Sequence, residues 1–274
     1  MAEVITHYID SLDLPGLEPY RTMKQQFDHL NQRLFVAEGE KVVFRLLQSR
    51  FSVVSLLLPE KWLVNYLPIL KTRPENEIHA YVAEKRFLEQ LTGFTMYQGV
   101  LAVAKVPCTV TMEEIRQKST SPYLFVAIEG ITNAQNLGSL VRNCGAFGVH
   151  GFIVGETSAS PFLRRAVRGS MGVIFQMPVL ESQNLVQTLT DMRSQGVHIV
   201  AAHPHADGRT LSQARLTGDS CLVFGSEGYG LTPQLLAVCD DAVAIPMHNE
   251  VDSLNVGSAA AAFLYEANRQ RGRS

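Results

Sequence analysis

Three short segments in the C-terminal half of the sequence combine glycines, small polar residues and single charges. They are Asn-Leu-Gly-Ser-Leu-Val-Arg at 136–142, Phe-Gly-Ser-Glu-Gly-Tyr-Gly at 224–230, and Ile-Pro-Met at 245–247 with Ser-Leu-Asn-Val at 253–256. Each stands where an apolar strand is expected to end or a helix to begin, which is the edge where α/β proteins bind ligands. Glycines allow a ligand close to the backbone, and the guanidinium suits phosphate recognition.

The segment at 224–230 predicts a loop that wraps a small ligand and presents Glu227. Its glycines directly follow an apolar run at 221–224. The glycine spacing is the reverse of the Gly-x-Gly-x-x-Gly dinucleotide fingerprint, and no βαβ unit supplies an acid about 20 residues later. A nucleotide-dependent oxidoreductase is therefore a poor fit. For this segment alone, a plain glycine-rich turn remains the alternative.

The segments around Asn136 and Asn255 each combine a helix start with polar side chains. Asn136 and Arg142 are six residues apart, so with about 3.6 residues per turn they lie on different faces of a helix. The two side chains therefore need not serve one structural purpose. The alternative is that Asn136 is only a helix N-cap and Arg142 only an exposed side chain. Ser253 is the expected N-cap of an Ala-rich helix, which places Asn255 inside the first turn, where Asn is a mediocre helix former.

Composition indicates a globular chain without membrane-spanning or secretory segments. Its 274 residues allow two ordinary domains, and it is 46% hydrophobic and 18% charged. The N-terminus has no basic region followed by a long apolar stretch, so no signal peptide is expected. Four well-separated cysteines predict reduced, buried thiols in a cytoplasmic protein rather than disulfides or a metal site.

The formal net charge of −2 excludes a globally basic nucleic-acid-binding protein. Any RNA surface must be a local patch, although a charge cluster can also be a solvated face. The candidates are Arg164, Arg165 and Arg168, then Lys85 and Arg86, and finally Arg269, Arg271 and Arg273.

Alternating apolar runs and amphipathic stretches predict two α/β domains. Residues 1–107 form a small domain whose first 30 or so residues are irregular, 108–122 form a linker, and 123–274 form the second domain. Strands are expected at 34–37, 53–58, 100–106, 123–128, 151–154, 197–202, 221–224 and 242–245. Helices are expected at 42–47, 62–70, from 137 onward, at 185–193 and at 255–268.

In their order and spacing, the three segments resemble the motifs of the SpoU (TrmH-type) RNA ribose methyltransferases, a branch of the SPOUT superfamily. The similarity covers most of residues 123–270, and residues 35–43 resemble the family's small substrate-binding domain, which is similar to ribosomal-protein folds. The resemblance implies a deep trefoil knot in the C-terminal domain, S-adenosylmethionine (SAM) as cofactor, a homodimer and no metal.

The resemblance also implies roles for individual residues. Arg142 matches the catalytic arginine with Asn136 as its motif partner, and the other polar catalytic residues are Glu227, Ser253 and Asn255. The residues implied to hold SAM are Gly225, Ser226, Gly228, Ile245, Met247 and Leu254. The sequence departs from the commonest family pattern, without losing a group that the chemistry needs, at Asn143, Cys144 and Gly257.

The implied reaction is methyl transfer to a ribose 2′-hydroxyl of structured RNA. Ribosomal RNA is favoured over transfer RNA because of the extra N-terminal domain. The hydroxyl must lose its proton, and a free guanidinium stays protonated at neutral pH. Arg142 is therefore expected to clamp a phosphate and stabilise the developing alkoxide, with a transient base role as the alternative. A catalytically silent RNA-binding protein of the same fold also remains open, although the intact motif residues argue against it.

Overall fold

A computed structural model describes residues 2–92, 99–204, 206, 209–249 and 251–272. The strands are β1 (Glu3–Tyr8), β2 (Leu34–Glu38), β3 (Val53–Leu58), β4 (Glu77–Val82), β5 (Leu101–Lys105), β6 (Leu124–Ile128), β7 (Gly151–Val154), β8 (Val179–Glu181), β9 (His198–Ala202), β10 (Ser220–Phe224) and β11 (Asp241–Val243). The helices are α1 (Glu18–Arg21), α2 (Gln26–Asn31), α3 (Glu40–Gln48), α4 (Glu60–Lys71), α5 (Lys85–Thr92), α6 (Met112–Gln117), α7 (Ala134–Ala146), α8 (Arg164–Gly169), α9 (Leu185–Ser194), α10 (Pro233–Val238) and α11 (Val256–Gln270). In this described part of the chain, no helix has both the length and the apolar character needed to cross a bilayer.

The chain forms two compact units whose boundaries differ from the predicted ones. The first unit consists of Met1–Cys108 and Phe162–Gln176, and the second of Thr109–Pro161 and Met177–Ser274. The segment predicted as a linker, 108–122, does not separate the two units, because residues 109–122 belong to the second unit and six of them form α6. A capping box between Thr111 and Glu114 starts this helix, and Ile115 is buried in the second unit's core.

The first unit contains a mixed five-stranded sheet in the order β1-β4-β3-β5-β2. β1, β4 and β3 run parallel, whereas β5 is antiparallel to both of its neighbours. The prediction that the first 30 residues are irregular is wrong, since β1 pairs with β4 along its whole length. β1 is an edge strand with a partly exposed face, so it lacks the continuous apolar run that identified β3.

α8 is tied to this first unit by a buried ion pair at the end of β2. Glu38 is 3% exposed and Arg164 is 8% exposed, and the Arg164 guanidinium donates to the Glu38 carboxylate. Arg168 Nη1 donates to the other carboxylate oxygen at 2.6 Å. Arg164, predicted from the sequence to bind RNA, is thus buried with its charge paired inside the protein. Arg165 is exposed, and the Arg168 side chain is 54% exposed.

Aromatic side chains before and after α8 hold residues 162–176 in the first unit. Phe162 and Phe175 lie with their ring centroids 5.6 and 5.9 Å from that of Phe35. Both rings also contact Phe51, at 5.9 and 5.4 Å. Burial of these rings against each other explains why residues 162–176 belong to the first unit, although their neighbours in sequence belong to the second.

The second unit contains a parallel six-stranded sheet in the order β11-β9-β10-β6-β7-β8. Every residue of β6 and β10 is buried, as expected for central strands covered by helices on both faces. The strands predicted from apolar runs in this region are confirmed. β8 escaped prediction because it has only three residues and two of them are partly exposed.

The four cysteines are free thiols in different environments. Cys144 and Cys221 are buried, Cys239 is half-buried and Cys108 is exposed. Burial raises the pKa of the Cys144 and Cys221 thiols, and it raises that of Cys239 to about 12. The prediction of buried thiols is therefore wrong for Cys108.

The ion pair at Glu38 yields a prediction about stability. Glu38→Gln leaves the Arg164 guanidinium buried without its counter-charge, so we expect the free energy of unfolding to fall by about 3–5 kcal/mol. The matched control is Arg168→Ala, which removes the exposed partner and should cost only about 0–1 kcal/mol. Urea unfolding of the two full-length variants measures both values. Equal losses in the two variants would contradict the assigned difference between Arg164 and Arg168.

Candidate active site

The glycine-rich segment after β10 forms a tight turn closed by paired backbone hydrogen bonds. Ser226 N donates to Gly230 O at 3.1 Å, and Gly230 N donates to Ser226 O at 2.9 Å. The Ser226 hydroxyl accepts from the backbone N–H of Tyr229 at 3.1 Å. A Cβ at Gly225 would stand 2.3 Å from the carbonyl carbon of Gly230. Gly225 is therefore required by the close approach of two backbone segments within the turn itself.

A cavity of about 550 Å³ lies beside this turn, where β9, β10 and β11 end. This edge of a parallel sheet is where a ligand site is expected. The cavity is lined by every residue predicted to hold the cofactor, namely Gly225, Ser226, Gly228, Ile245, Met247 and Leu254. Glu227 and Ser253 line it too. Its size is within the range of small-molecule sites, about 300–1,000 Å³.

Three polar side chains from the three motif segments meet in a hydrogen-bonded group, here called the Asn–Glu–Asn cluster. Asn136 Nδ2 donates to Glu227 Oε1 at 2.7 Å. Asn255 Nδ2 donates to the same oxygen at 2.9 Å and to Asn136 Oδ1 at 2.9 Å. Because Glu227 accepts two hydrogen bonds, its carboxylate is held in one orientation at the start of both α7 and α11.

The N-caps of the two helices differ from those expected from the sequence. Asn133, not Asn136, caps α7, because its Oδ1 accepts from the backbone N–H groups of Gln135 and Asn136. Asn255, not Ser253, caps α11, with its Oδ1 accepting from Gly257 N at 2.9 Å. Asn136 thus lies in the first turn, and Asn255 combines capping with membership of the Asn–Glu–Asn cluster.

Arg142 lies on the exposed side of α7, further along the helix than Asn136. Its guanidinium makes no hydrogen bond or ion pair with any residue in the described ranges. The structure therefore does not bring Arg142 into the Asn–Glu–Asn cluster by direct contact. Its planar fork of donors is free to bind an oxyanion such as a phosphate.

Comparison with known proteins identifies the family to which this arrangement belongs. Residues 123–265 match the sequence model of the SpoU rRNA Methylase family. The 23S rRNA (guanosine-2'-O-)-methyltransferase RlmB of Vibrio vulnificus is 31% identical over 228 residues, covering 78% of this chain and 91% of that protein. The chain belongs to the SpoU rRNA methylase family.

Solved structures agree with this assignment over nearly the whole chain. The SpoU methyltransferase AviRb from Streptomyces viridochromogenes is similar with a TM-score of 0.77 and 25% identity, covering 93% of this chain and 96% of that one. The AdoMet-bound rRNA methyltransferase from Sinorhizobium meliloti has a TM-score of 0.83 and 23% identity, covering 96% and 98%. The predicted resemblance and the predicted α/β class are therefore confirmed.

The cavity and the turn beside it also include residues that were not predicted from the sequence. His203 and Pro204 line the cavity just beyond β9, and Asp252 lines it before α11. The Glu129 carboxylate accepts from both the backbone N–H and the hydroxyl of Thr232, at 2.7 and 2.8 Å, and thereby fixes the far end of the glycine turn. Their positions in the sequence could have identified them, because His203 and Glu129 each directly follow a predicted strand.

The other residues predicted to have a functional role lie away from the cavity or outside the described residues. Arg164, Arg165 and Arg168 belong to the first unit and do not line the cavity. Arg273 lies outside the described residues. Among the residues that the structure describes, no group of three His, Cys, Asp or Glu side chains could hold a metal ion.

The glycine-rich turn after β10 yields a prediction about Gly225. In Gly225→Ala the new methyl group collides with backbone atoms of Gly230, so we expect a loss of about 1–3 kcal/mol in the free energy of unfolding. Gly228→Ala is the matched control, because a Cβ there meets nothing within 4 Å. Thermal unfolding of both variants, compared with the wild type, measures the difference. Gly225→Ala with wild-type stability would show that the turn can relax.

Proposed function

We propose that this protein transfers a methyl group from SAM to a ribose 2′-hydroxyl of ribosomal RNA. The observation that carries the proposal is that a cofactor-sized cavity and the Asn–Glu–Asn cluster lie at one edge of the sheet. The exposed Arg142 guanidinium is on the same helix as Asn136. Membership of the SpoU rRNA methylase family supports it. The RNA and the 2′-oxygen are those named for the Vibrio vulnificus relative.

The cavity provides the SAM site. Backbone groups of Gly225, Ile245 and Leu254 are suited to hold the adenine and ribose, because backbone N–H and C=O groups offer paired donors and acceptors at the strand ends. Two carboxylates, Glu227 and Asp252, line the cavity and favour a positively charged ligand. When bound, SAM supplies an electrophilic methyl group on a sulfonium cation.

Arg142, with the Asn–Glu–Asn cluster, supplies the groups for the chemical step. The 2′-hydroxyl is a weak nucleophile that must lose its proton, to the neighbouring phosphate or to water, in or near the transition state. Its oxygen forms the bond to the methyl carbon as the carbon–sulfur bond breaks, which leaves S-adenosylhomocysteine. Arg142 clamps the neighbouring phosphate through its donor fork and stabilises the negative charge that develops on the oxygen. The Asn–Glu–Asn cluster fixes the cavity wall relative to the start of α7. Much of the rate then comes from holding the reacting groups in the correct positions.

The first unit binds the RNA. It contains 15 Lys and Arg residues against 12 Asp and Glu, whereas the second unit contains 9 against 14. Positive charge is thus concentrated in the unit that resembles the family's substrate-binding domain, as phosphate binding requires. Arg165 and Arg168 remain candidates for phosphate contacts. Arg164 is no longer one, because it is buried against Glu38.

The assembly is proposed to be a cytoplasmic homodimer with a trefoil-knotted second unit. The dimer is supported by apolar side chains left exposed near α11, with Leu254 40% and Tyr265 56% exposed. The knot is supported by similarity to SpoU structures over nearly the whole chain. The cytoplasmic location follows from the RNA substrate.

The proposed reaction predicts where a transferred methyl group will be found. After incubation with methyl-labelled SAM and separated ribosomal and transfer RNA fractions, we expect label in ribosomal RNA. A 2′-O-methyl group removes the nucleophile for alkaline cleavage at its own phosphodiester, so the label should remain in alkali-resistant dinucleotides. Chromatography of the alkaline hydrolysate measures this. Label in mononucleotides would indicate base methylation, and an unlabelled RNA pool would contradict the proposed activity altogether.

The role proposed for Arg142 predicts the behaviour of Arg142→Lys. A lysine cannot reproduce the bidentate contact, so we expect kcat to fall by roughly 100-fold. SAM affinity, measured by calorimetry, should not change, because Arg142 does not line the cavity. If Arg142 were instead the base, lysine, with a pKa of about 10.4, would be the easier base and turnover would recover as pH rises. A wild-type turnover number at neutral pH would contradict the clamp.

A further inference from the structure

Asn143 connects α7 to the first turn of α11. It directly follows Arg142, is half-buried, and its Nδ2 donates to the backbone carbonyl oxygen of Gly257 at 2.6 Å. Asn143 and Gly257 are thus in direct contact although 114 residues separate them in sequence. The hydrogen bond therefore joins the turn that carries Arg142 to the turn that follows Asn255.

From Gly257 a continuous series of hydrogen bonds leads into the Asn–Glu–Asn cluster. Gly257 N donates to Asn255 Oδ1 at 2.9 Å. The other end of the same Asn255 amide donates to Glu227 and Asn136, at 2.9 Å each. The Asn255 amide has no remaining freedom to rotate while all three bonds are made, so its orientation depends on where Gly257 is held.

The space around Gly257 confirms that the two helices approach closely at this point. A Cβ on Gly257 would stand 3.2 Å from Asn255 Oδ1 and 3.2 Å from the Cβ of Ser139 on α7. Even one added methyl group must therefore displace either the Asn255 amide or α7. The absence of a side chain at Gly257 allows Asn143 to fix the distance between the helices.

We propose that Asn143 is a positioning residue for methyl transfer. Through Gly257 it sets the Asn255 amide that orients Glu227 and Asn136, and it anchors the helical turn that presents Arg142. This inference rests on the proposed function. It assigns Asn143 no contact with RNA or SAM, since Asn143 does not line the cavity.

The test is a double-mutant cycle on the full-length protein. Asn143→Ala should lower kcat roughly tenfold, the scale of one lost hydrogen bond that orients a catalytic group. SAM affinity should fall by a smaller factor, because Glu227 lines the cavity but Asn143 does not. In an Asn255→Ala background, the same substitution should have little further effect on kcat, because the residue through which Asn143 acts is gone. Asn143→Asp, which places an oxygen against the Gly257 carbonyl without changing side-chain size, is a second variant with the same expected loss.

Asn268→Ala is the matched control. Asn268 Nδ2 donates to Phe147 O at 3.0 Å and so joins the C-terminal end of α11 to that of α7, one turn beyond Asn143. This variant should lower thermal stability and leave kcat unchanged below its unfolding transition. Wild-type turnover in Asn143→Ala and Asn143→Asp, an equal fall in Asn268→Ala, or a full tenfold fall in the Asn255→Ala background would each overturn the inference. A wild-type protein that labels no RNA would instead refute the proposed function, and the inference with it.

Discussion

The arrangement of the site depends on the hydrogen bonds made by the side-chain amide of Asn255. Its oxygen satisfies a free N–H group at the start of α11, and its nitrogen donates to Glu227 and Asn136. A helix needs such a cap whether or not it has a function. Here the same group also joins the glycine turn and α7. One side chain therefore couples the folding of α11 to the geometry of the site.

The parallel sheet makes that coupling possible. β6 and β10 are adjacent, so the segments that follow them, α7 and the glycine turn, emerge side by side although about 90 residues separate them in sequence. β11 and β9 complete the edge and bring the start of α11 and His203 to the cavity. The backbone of Gly225 must pass so close to Gly230 that only glycine fits. Sheet order thus determines which side chains can meet, and the turn determines the shape of the cavity wall.

Local sequence was sufficient for features that depend on local chemistry. Buried central strands such as β6 and β10 are apolar runs, and the residues after them have the types that a ligand site needs, which is why Gly225, Glu227 and Asn255 could be selected. Features decided by distant partners could not be predicted. Arg164 resembled a surface cation because its partner, Glu38, lies 126 residues away. β1 resembled an irregular segment because its strand character depends on pairing with β4. Ser253 and Asn255 are both good capping residues, and the choice between them is made by Glu227 and Asn136.

The discontinuity of the first unit has a consequence for the order in which the protein can be made. During synthesis Glu38 and the rings of Phe35 and Phe51 leave the ribosome long before Arg164, Phe162 and Phe175 exist. Domains generally fold as units during translation, but the first unit lacks part of its interior until residues 162–176 have been made, and β6 and β7 of the second unit precede this segment in the chain. The nascent N-terminal unit therefore waits with an unpaired carboxylate and uncovered aromatic rings. The two units are thus interleaved along the chain, and each is completed only by a segment made after part of the other.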